Sequence, residues 1–284
     1  MKDFVLKQAI ESAIGNKTGK PVLEINFLGC GGAFDLKEKN SSVLLTTKSG
    51  SQILIDCGYT SYATLKVNNL IGKIDYLFIT HTHEDHISGL SGLIYDRWFL
   101  HKKNTKIHCT KEVYILLRKY LFEICNHEVE QIEFFTDDCV FFENDNLSVT
   151  KIATTNYHFI NFPNSGFLFH FQISENKAFD ILYSGDINIP ILNLLSKEQY
   201  KFLYDNLDNT FVFHDMTALE YSGNPHCSFK LLKETKDSVS KLITYHHSMQ
   251  HVNQISLDEE YMDIAHTSVL NMDKRLIVEQ VFSI

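Results

Sequence analysis

The chain has 284 residues, 44% of them hydrophobic, which supports an ordinary buried core and excludes a disordered chain. Its 26 Lys and Arg against 35 Asp and Glu give a net charge of −9, a balance that argues against broad, non-specific nucleic-acid binding and leaves room for a small anion held by metal. No stretch is apolar enough to span a bilayer, the N-terminus lacks the continuous apolar core of a secretory signal, and the six cysteines form no Cys-x-x-Cys pair, so a soluble, intracellular protein with reduced thiols is expected.

In chain order, Phe4, Val5, Ala9, Ile10, Ala13 and Ile14 have helical spacing and predict an amphipathic helix over residues 3–14, inside a short N-terminal segment of about residues 1–20. The run Gly15-Asn16-Lys17-Thr18-Gly19-Lys20-Pro21 has the wrong glycine spacing for a phosphate loop and places Pro where Ser or Thr should sit, so no nucleotide site is expected there. Strands are predicted over 22–28, 42–47, 52–55 and 76–80, helices over 88–100 and 111–125, and a short strand over 106–109. The second half repeats the order: strands over 139–143, 147–153, 167–173, 179–183 and 210–213, with helices over 197–205 and 229–240. A further strand leads into His246. Two strand-rich halves with helices, only 4 prolines and no low-complexity linker predict an α/β fold of two sheets with helices outside, as one domain over 1–284.

The run His81-Thr82-His83-Glu84-Asp85-His86 puts three imidazoles and two carboxylates directly after the apolar stretch 74–79. Imidazole nitrogen and carboxylate oxygen are donors that borderline divalent metals prefer. A loop that only capped the next helix would need one Asp or Ser, not three histidines. A strand running into a tight loop can aim His81 and His83 one way and Asp85 and His86 another, so that one segment serves two metals. Further ligands are then expected at later strand ends, where His158, Asp186 and His246 stand in order. Asp186, in Tyr183-Ser184-Gly185-Asp186, is placed for a carboxylate that bridges two cations. His247 is the rival to His246, while His101, His108, His127, His170 and His251 are read as surface or satisfied histidines.

Together with Asp56 in Ile53-Leu54-Ile55-Asp56-Cys57-Gly58, these ordered motifs resemble those of the metallo-β-lactamase superfamily over nearly the whole chain. The resemblance implies a four-layer αββα sandwich and two divalent metal ions, zinc by default, with manganese also suited to the donor set. It implies His81, His83 and His158 on one metal, Asp85, His86 and His246 on the other, Asp186 between them, and Asp56 supporting the ligands from behind. It favours His246 over His247 through the pattern Leu-x-x-x-His-x-Ser.

His214-Asp215-Met216-Thr217 and Pro225-His226-Cys227-Ser228 are similar to motifs of the ribonuclease Z branch, where a carboxylate orients a histidine that assists departure of the leaving oxygen. Asp215 and His226 would take those parts, with Asp85 completing the catalytic set and Asp standing where the branch usually has Glu. The structural alternative is that Asp215 merely ends a strand and Cys227 or Ser228 caps a helix. Between His158 and Asp186, where tRNA-processing enzymes carry a long arm, this chain has room for two strands and the turn Ser174-Glu175-Asn176-Lys177. Without the arm, and with a net charge of −9, a large structured RNA has little to hold it. The chain therefore resembles compact ribonuclease Z-like phosphodiesterases, including phage anti-Pycsar proteins that destroy cyclic-nucleotide signals. That likeness implies a dinuclear-metal phosphodiesterase acting on a small nucleotide, a cyclic mononucleotide by preference, and a homodimer with no membrane or large nucleic-acid partner. The location implied is the cytoplasm, the host's if the chain is phage-encoded. The alternatives are a tRNA 3′-endonuclease and a non-catalytic, nucleotide-sequestering protein; β-lactam or thioester hydrolysis leaves the pairing of Asp215 with His226 unexplained.

Overall fold

The computed structural model describes residues 23–175, 177–217, 222–236, 241–246 and 276–278. The helix expected over 3–14, the run 15–21, His247 and His251 lie outside them. The strands are β1 (Leu23–Gly29), β2 (Ser42–Thr47), β3 (Gln52–Ile55), β4 (Tyr76–Phe78), β5 (Thr105–His108), β6 (Ile132–Phe135), β7 (Cys139–Phe142), β8 (Leu147–Ala153), β9 (Ser165–Ser174), β10 (Lys177–Tyr183), β11 (Thr210–Asp215), β12 (Lys241–Tyr245) and β13 (Leu276–Val278). The helices are α1 (Tyr59–Val67), α2 (Glu84–Ile87), α3 (Leu90–His101), α4 (Lys111–Arg118), α5 (Lys201–Tyr204) and α6 (Phe229–Lys236).

One sheet runs β13-β1-β2-β3-β4-β5-β6 and the other β12-β11-β10-β9-β8-β7. Strand alternation assigns the faces. Val43 and Leu45 of β2 join Ile25, Ile53 and Phe78 in a core shared with Val149, Phe167, Phe169, Ile181 and Phe213 of the second sheet. Leu44, Leu54 and Leu77 point the other way, onto Leu90, Leu93, Ile94, Val113 and Leu117 of the helices. On the far side, Leu168, Leu182 and Val212 pack against Ile191 and Leu203. Side chains this large contribute about 1.5–3 kcal/mol each when fully buried. The result is helix, sheet, sheet, helix in layers.

The topology sets up the site. β3, β4 and β5 run parallel in one sheet, and β10, β11 and β12 run parallel in the other. Their C-terminal ends carry Asp56, His81, Asp186, Asp215 and His246, and Ser165 ties the sheets together there, its N–H and hydroxyl donating to Thr80 O at 3.0 and 2.9 Å.

Several element boundaries differ from expectation. The helix predicted over 88–100 is α3, and a short helix not expected, α2, precedes it; the two are separated because the chain presses onto the Gly58 loop between them: a Cβ on Gly89 would lie 2.4 Å from Gly58 O. The helix over 111–125 is α4 followed by a π-helical turn, Lys119–Ile124, and the helix over 197–205 shortens to α5. β6, β13 and α1 were not expected from the sequence. Among the described residues no helix is long and apolar enough to cross a membrane.

Candidate metal centre

The centre is organised from beneath by Asp56, fully buried just after β3 with a left-handed φ of 58°. Its carboxylate accepts from the Thr80 amide, the Thr80 hydroxyl and His86 Nδ1, each at 2.8 Å. Because the Thr80 proton goes to Asp56, the hydroxyl lone pair accepts the Nδ1–H of His81 at 2.9 Å. One carboxylate thus fixes the tautomer of an imidazole in each half of the centre and turns both Nε2 lone pairs inward.

The first half contains His81, His83 and His158. His158 Nδ1 donates to Pro225 O at 2.9 Å, so its Nε2 is the bare nitrogen. That Nε2 lies 3.0 Å from His83 Nδ1, which lies 3.1 Å from His81 Nε2. A single proton on His83 serves only one of these neighbours. Three imidazole nitrogens turned on one point are what a cation satisfies. Phe162 stacks on the His83 ring at 4.4 Å and holds it in place.

The second half contains Asp85, His86 and His246. His86 Nε2 sits 3.4 Å from Asp85 Oδ2 and 3.3 Å from Asp186 Oδ2 yet makes no hydrogen bond, since its proton is on the other nitrogen. His246, at the end of β12 with φ 62°, places Nε2 2.9 Å from Asp85 Oδ2 and 3.1 Å from Asp186 Oδ2. Asp186 stands between the halves, its Oδ2 also 3.8 Å from His81 Nε2, while its buried Oδ1 has no hydrogen-bond partner. A lone pair facing carboxylates, with a carboxylate oxygen left bare, fits a pair of divalent cations and is unfavourable without them.

Charge follows the same division. Burial, helped by His86, holds His81 well below its usual pKa, and burial with His158 and His86 brings His83 down to about 4. Burial also lowers His158. Those imidazoles are neutral donors. Burial opposes charge on His86 and His246 too, but the facing carboxylates Asp186 and Asp85 override it and raise both, so that without a cation a second proton would take its place on His86 Nε2. Asp186 is pushed well below the carboxylate range by His246, His86 and His81 against its own burial.

Beside this cluster lies a second arrangement. Asp215 ends β11, two residues past the expected strand end, and is fully buried. Its Oδ2 accepts from His226 Nδ1 at 2.9 Å. The His226 ring stacks at 4.6 Å on His246 and lies 5.0 Å from His158. The segment that delivers His226 is the one whose Pro225 carbonyl orients His158. Ser228 Oγ does accept from Leu231 N at 3.4 Å, so helix capping and the Asp215–His226 pair coexist.

The family model for the anti-Pycsar protein Apyc1 matches residues 23–270 of this chain. The chain belongs to the Apyc1 family. Ribonuclease Z of Clostridium kluyveri is 38% identical over 74 residues, 26% of this chain and 24% of that protein; the matched stretch thus spans about a quarter of the curated relative. Among solved structures, the metallo-β-lactamase fold protein YhfI from Bacillus subtilis aligns with a TM-score of 0.63 at 14% identity, covering 86% of this chain and 93% of its own. The short form of human tRNase Z aligns at 0.56 and 18% identity, covering 81% and 94%. The Apyc1-family chain therefore has the metallo-β-lactamase fold, and its local sequence likeness is to ribonuclease Z.

In this Apyc1-family chain the structure brings together His81, His83, Asp85, His86, His158, Asp186, Asp215, His226 and His246, with donor atoms of four three-residue groups within 4.8 Å of one another. It also adds residues that were not anticipated. Thr80 relays Asp56 to His81, and Asn164 donates to the Asp186 carbonyl. Tyr245 OH donates to Gly185 O at 2.9 Å, and Ser184 Oγ accepts from the Asp215 amide at 3.0 Å. Gly185 needs to be glycine: φ is +65° and a Cβ would lie 2.5 Å from Ser165 O. Their signal in the sequence was adjacency, since Thr80, Ser184 and Tyr245 each flank a candidate ligand or the glycine before one. Of the remaining histidines, His127 and His170 are hydrogen-bonded and His101 is exposed, whereas His108 is buried with neither nitrogen bonded, contrary to expectation.

Proposed function

We propose that the chain is a dinuclear-metal phosphodiesterase that hydrolyses a small nucleotide phosphodiester, by preference a cyclic mononucleotide. The observation that carries this reading is the Asp215–His226 pair at 2.9 Å, a buried carboxylate that fixes the tautomer of a partly exposed imidazole at the rim of the donor cluster. A protein that only sequestered a nucleotide would have no use for an oriented proton carrier there.

His81, His83 and His158 would hold one cation, Asp85, His86 and His246 the other, with Asp186 between. Two such ions, zinc or manganese, supply Lewis acidity toward the phosphoryl oxygens and an activated water near neutral pH. The chain's own groups do the rest. Asp56 and the Pro225 carbonyl keep the imidazole lone pairs turned inward. Asp85, which faces both His86 and His246, would take up a proton from the nucleophile. Asp215 holds His226 by Nδ1, so that Nε2 of the imidazolium can hand a proton to the departing ribose oxygen.

Three features support a small substrate. The interval between His158 and Asp186 is filled by the hairpin of β9 and β10, the net charge is −9, and the family match is to an anti-Pycsar protein. At the rim, Phe159 packs edge-on against His158 at 4.5 Å, and Ile160 is 86% exposed. On the other side the loop after β1 reaches His246 at Gly32 and carries the exposed Phe34 and Leu36. Apolar side chains left open there suit a base or the surface of a second subunit, and a homodimer is part of the proposal.

The test is chromatographic. Metal-loaded protein is incubated with cyclic mononucleotides, cyclic dinucleotides, bis-p-nitrophenyl phosphate and precursor tRNA, and its mass in solution is measured alongside. Multiple turnovers of a cyclic mononucleotide by a dimer are expected. Cleavage of precursor tRNA alone, or protection of nucleotide without turnover, would overturn the assignment.

A further inference from the structure

At the end of the first sheet opposite the metal ligands, a cleft of about 460 Å³ opens between the C-terminus of α3 and the segments leading into β4, β5 and β6. Its walls include Arg97, Lys102, Lys103 and Lys106, with Asp75 and Glu130 as the acidic members and Trp98 and Tyr76 as the aromatic ones. In a chain of net charge −9, a concave site with four cations against two carboxylates is a local reversal of sign.

Among the described residues none of the four cations is salt-bridged to a carboxylate. Arg97 is only 4% exposed, and its donors go to main-chain carbonyls: Nε and Nη2 to Asn104 O, Nη1 to Ile71 O and Ile74 O. Hydrogen bonds satisfy its protons but leave its charge without a bonded counter-ion, a costly arrangement for a buried ion. Asp75 lies near enough to favour that charge, but its Oδ2 is committed to the Gln52 amide at 2.9 Å. Lys103 Nζ donates to Gly72 O, and Lys106 Nζ lies 5.6 Å over the Tyr76 ring; among the described residues no carboxylate pairs with Lys102, Lys103 or Lys106. A helix C-terminus attracts cations by itself, which accounts for Lys102 and Lys103. It does not account for Lys106 on β5, at the other wall of the cleft.

We propose that this cleft is a second ligand site, separate from the metal centre, that binds a mononucleotide. The lysines meet the phosphate, the Arg97 charge gains an anion, and the half-buried indole of Trp98 offers the flat surface on which a base stacks. A pocket of this size suits one nucleotide better than a polymer, which would need a continuous basic track.

Trp98 is the chain's single tryptophan, so the site carries its own reporter. Metal-loaded protein is titrated with AMP, adenosine and inorganic phosphate while tryptophan emission is followed, with calorimetry as a second readout. A saturable change with AMP, tighter than with adenosine or phosphate, is expected. Lys102→Glu with Lys106→Glu should weaken it by about tenfold or more, and Lys106→Gln alone should move it in the same direction. His226→Ala, at the other site, should leave it in place. No saturation by about 5 mM, indifference to the lysine changes, phosphate binding as well as AMP, or loss of the signal in His226→Ala would each overturn the proposal. These outcomes do not depend on whether the metal centre hydrolyses cyclic nucleotides.

Discussion

Replacing Asp56 with Asn changes one atom of a buried side chain and inverts the logic of the centre above it. Asn can keep the bond from the Thr80 amide through its carbonyl, but its NH2 then occupies the place of Oδ2, toward which the Thr80 hydroxyl and His86 Nδ1 both direct protons at 2.8 Å. Two charge-assisted hydrogen bonds at about 1.5–3 kcal/mol each are lost. Removing a carboxylate whose burial disfavours its charge returns part of that, so a net destabilisation of about 2–4 kcal/mol is expected. The tautomer effect is larger for function. To accept from the Asn NH2, His86 must move its proton to Nε2, which then points at Asp85 and Asp186 where a cation would have met a lone pair. Metal affinity of the His86 half should fall by about 10- to 100-fold, while His81 is disturbed only through Thr80. Metal content after dialysis at graded free zinc, by mass spectrometry, should drop from two ions per chain toward one, with urea midpoints reporting stability separately. Two ions held with unchanged affinity would refute the reasoning.

Other expected outcomes follow from the same geometry. Gly58→Ala places a Cβ 2.0 Å from the Asp85 carbonyl and 2.7 Å from Asn40 Cβ; it should cost about 2–4 kcal/mol in chemical denaturation, and an unchanged midpoint would contradict the contact. His108 is stacked between Phe78 at 4.7 Å and Phe135 at 4.6 Å, and burial, with Lys151 and Lys106, pushes its pKa down to about 3. The unfolded chain, with His near 6.5, binds that proton first, so stability falls as pH drops from about 6.5 toward 3, and wild type should lose about 2–3 kcal/mol more than His108→Phe between pH 6.5 and 4.5. Parallel stability curves would exclude it. Stripping divalent ions with a chelator should lower Tm by about 10 °C, the scale of an ion present at about 1,000 times its Kd, and restored metal should recover it; a Tm indifferent to chelator would speak against a bound metal.

The sequence carried the centre better than it carried the frame. His81, His83, Asp85 and His86 sit within six residues, and the later candidates follow apolar runs, so chemistry and strand ends were readable together. The frame was harder where local pattern is weak. α1 buries only Ser61 and Leu65 and has no side-chain cap; β6 is a four-residue edge strand; and β13 is three residues long. Nothing local in Ile132–Phe135 or Leu276–Val278 distinguishes a strand until its neighbour supplies the hydrogen bonds. The break between α2 and α3 depends on Gly58 and Gly89 meeting across 31 residues, with Gly89 N bonded to Cys57 O at 2.9 Å, which no window of sequence contains. Likewise the bond from the Thr80 hydroxyl to Asp56 spans 24 residues and the Pro225 carbonyl meets His158 across 67, each formed only once the strands that carry them are placed in their sheets.

In the proposed reaction His226, oriented by Asp215, protonates a poor leaving group. The most direct test of that step compares His226→Ala with wild type on two substrates, a cyclic mononucleotide that must expel a ribose alkoxide and bis-p-nitrophenyl phosphate, whose nitrophenolate needs no proton, with metal content confirmed in both proteins. A fall in kcat of about 10²- to 10⁴-fold is expected on the cyclic nucleotide and of less than about tenfold on the activated ester. Equal losses on both substrates, or no loss on the cyclic nucleotide, would contradict the proposed step.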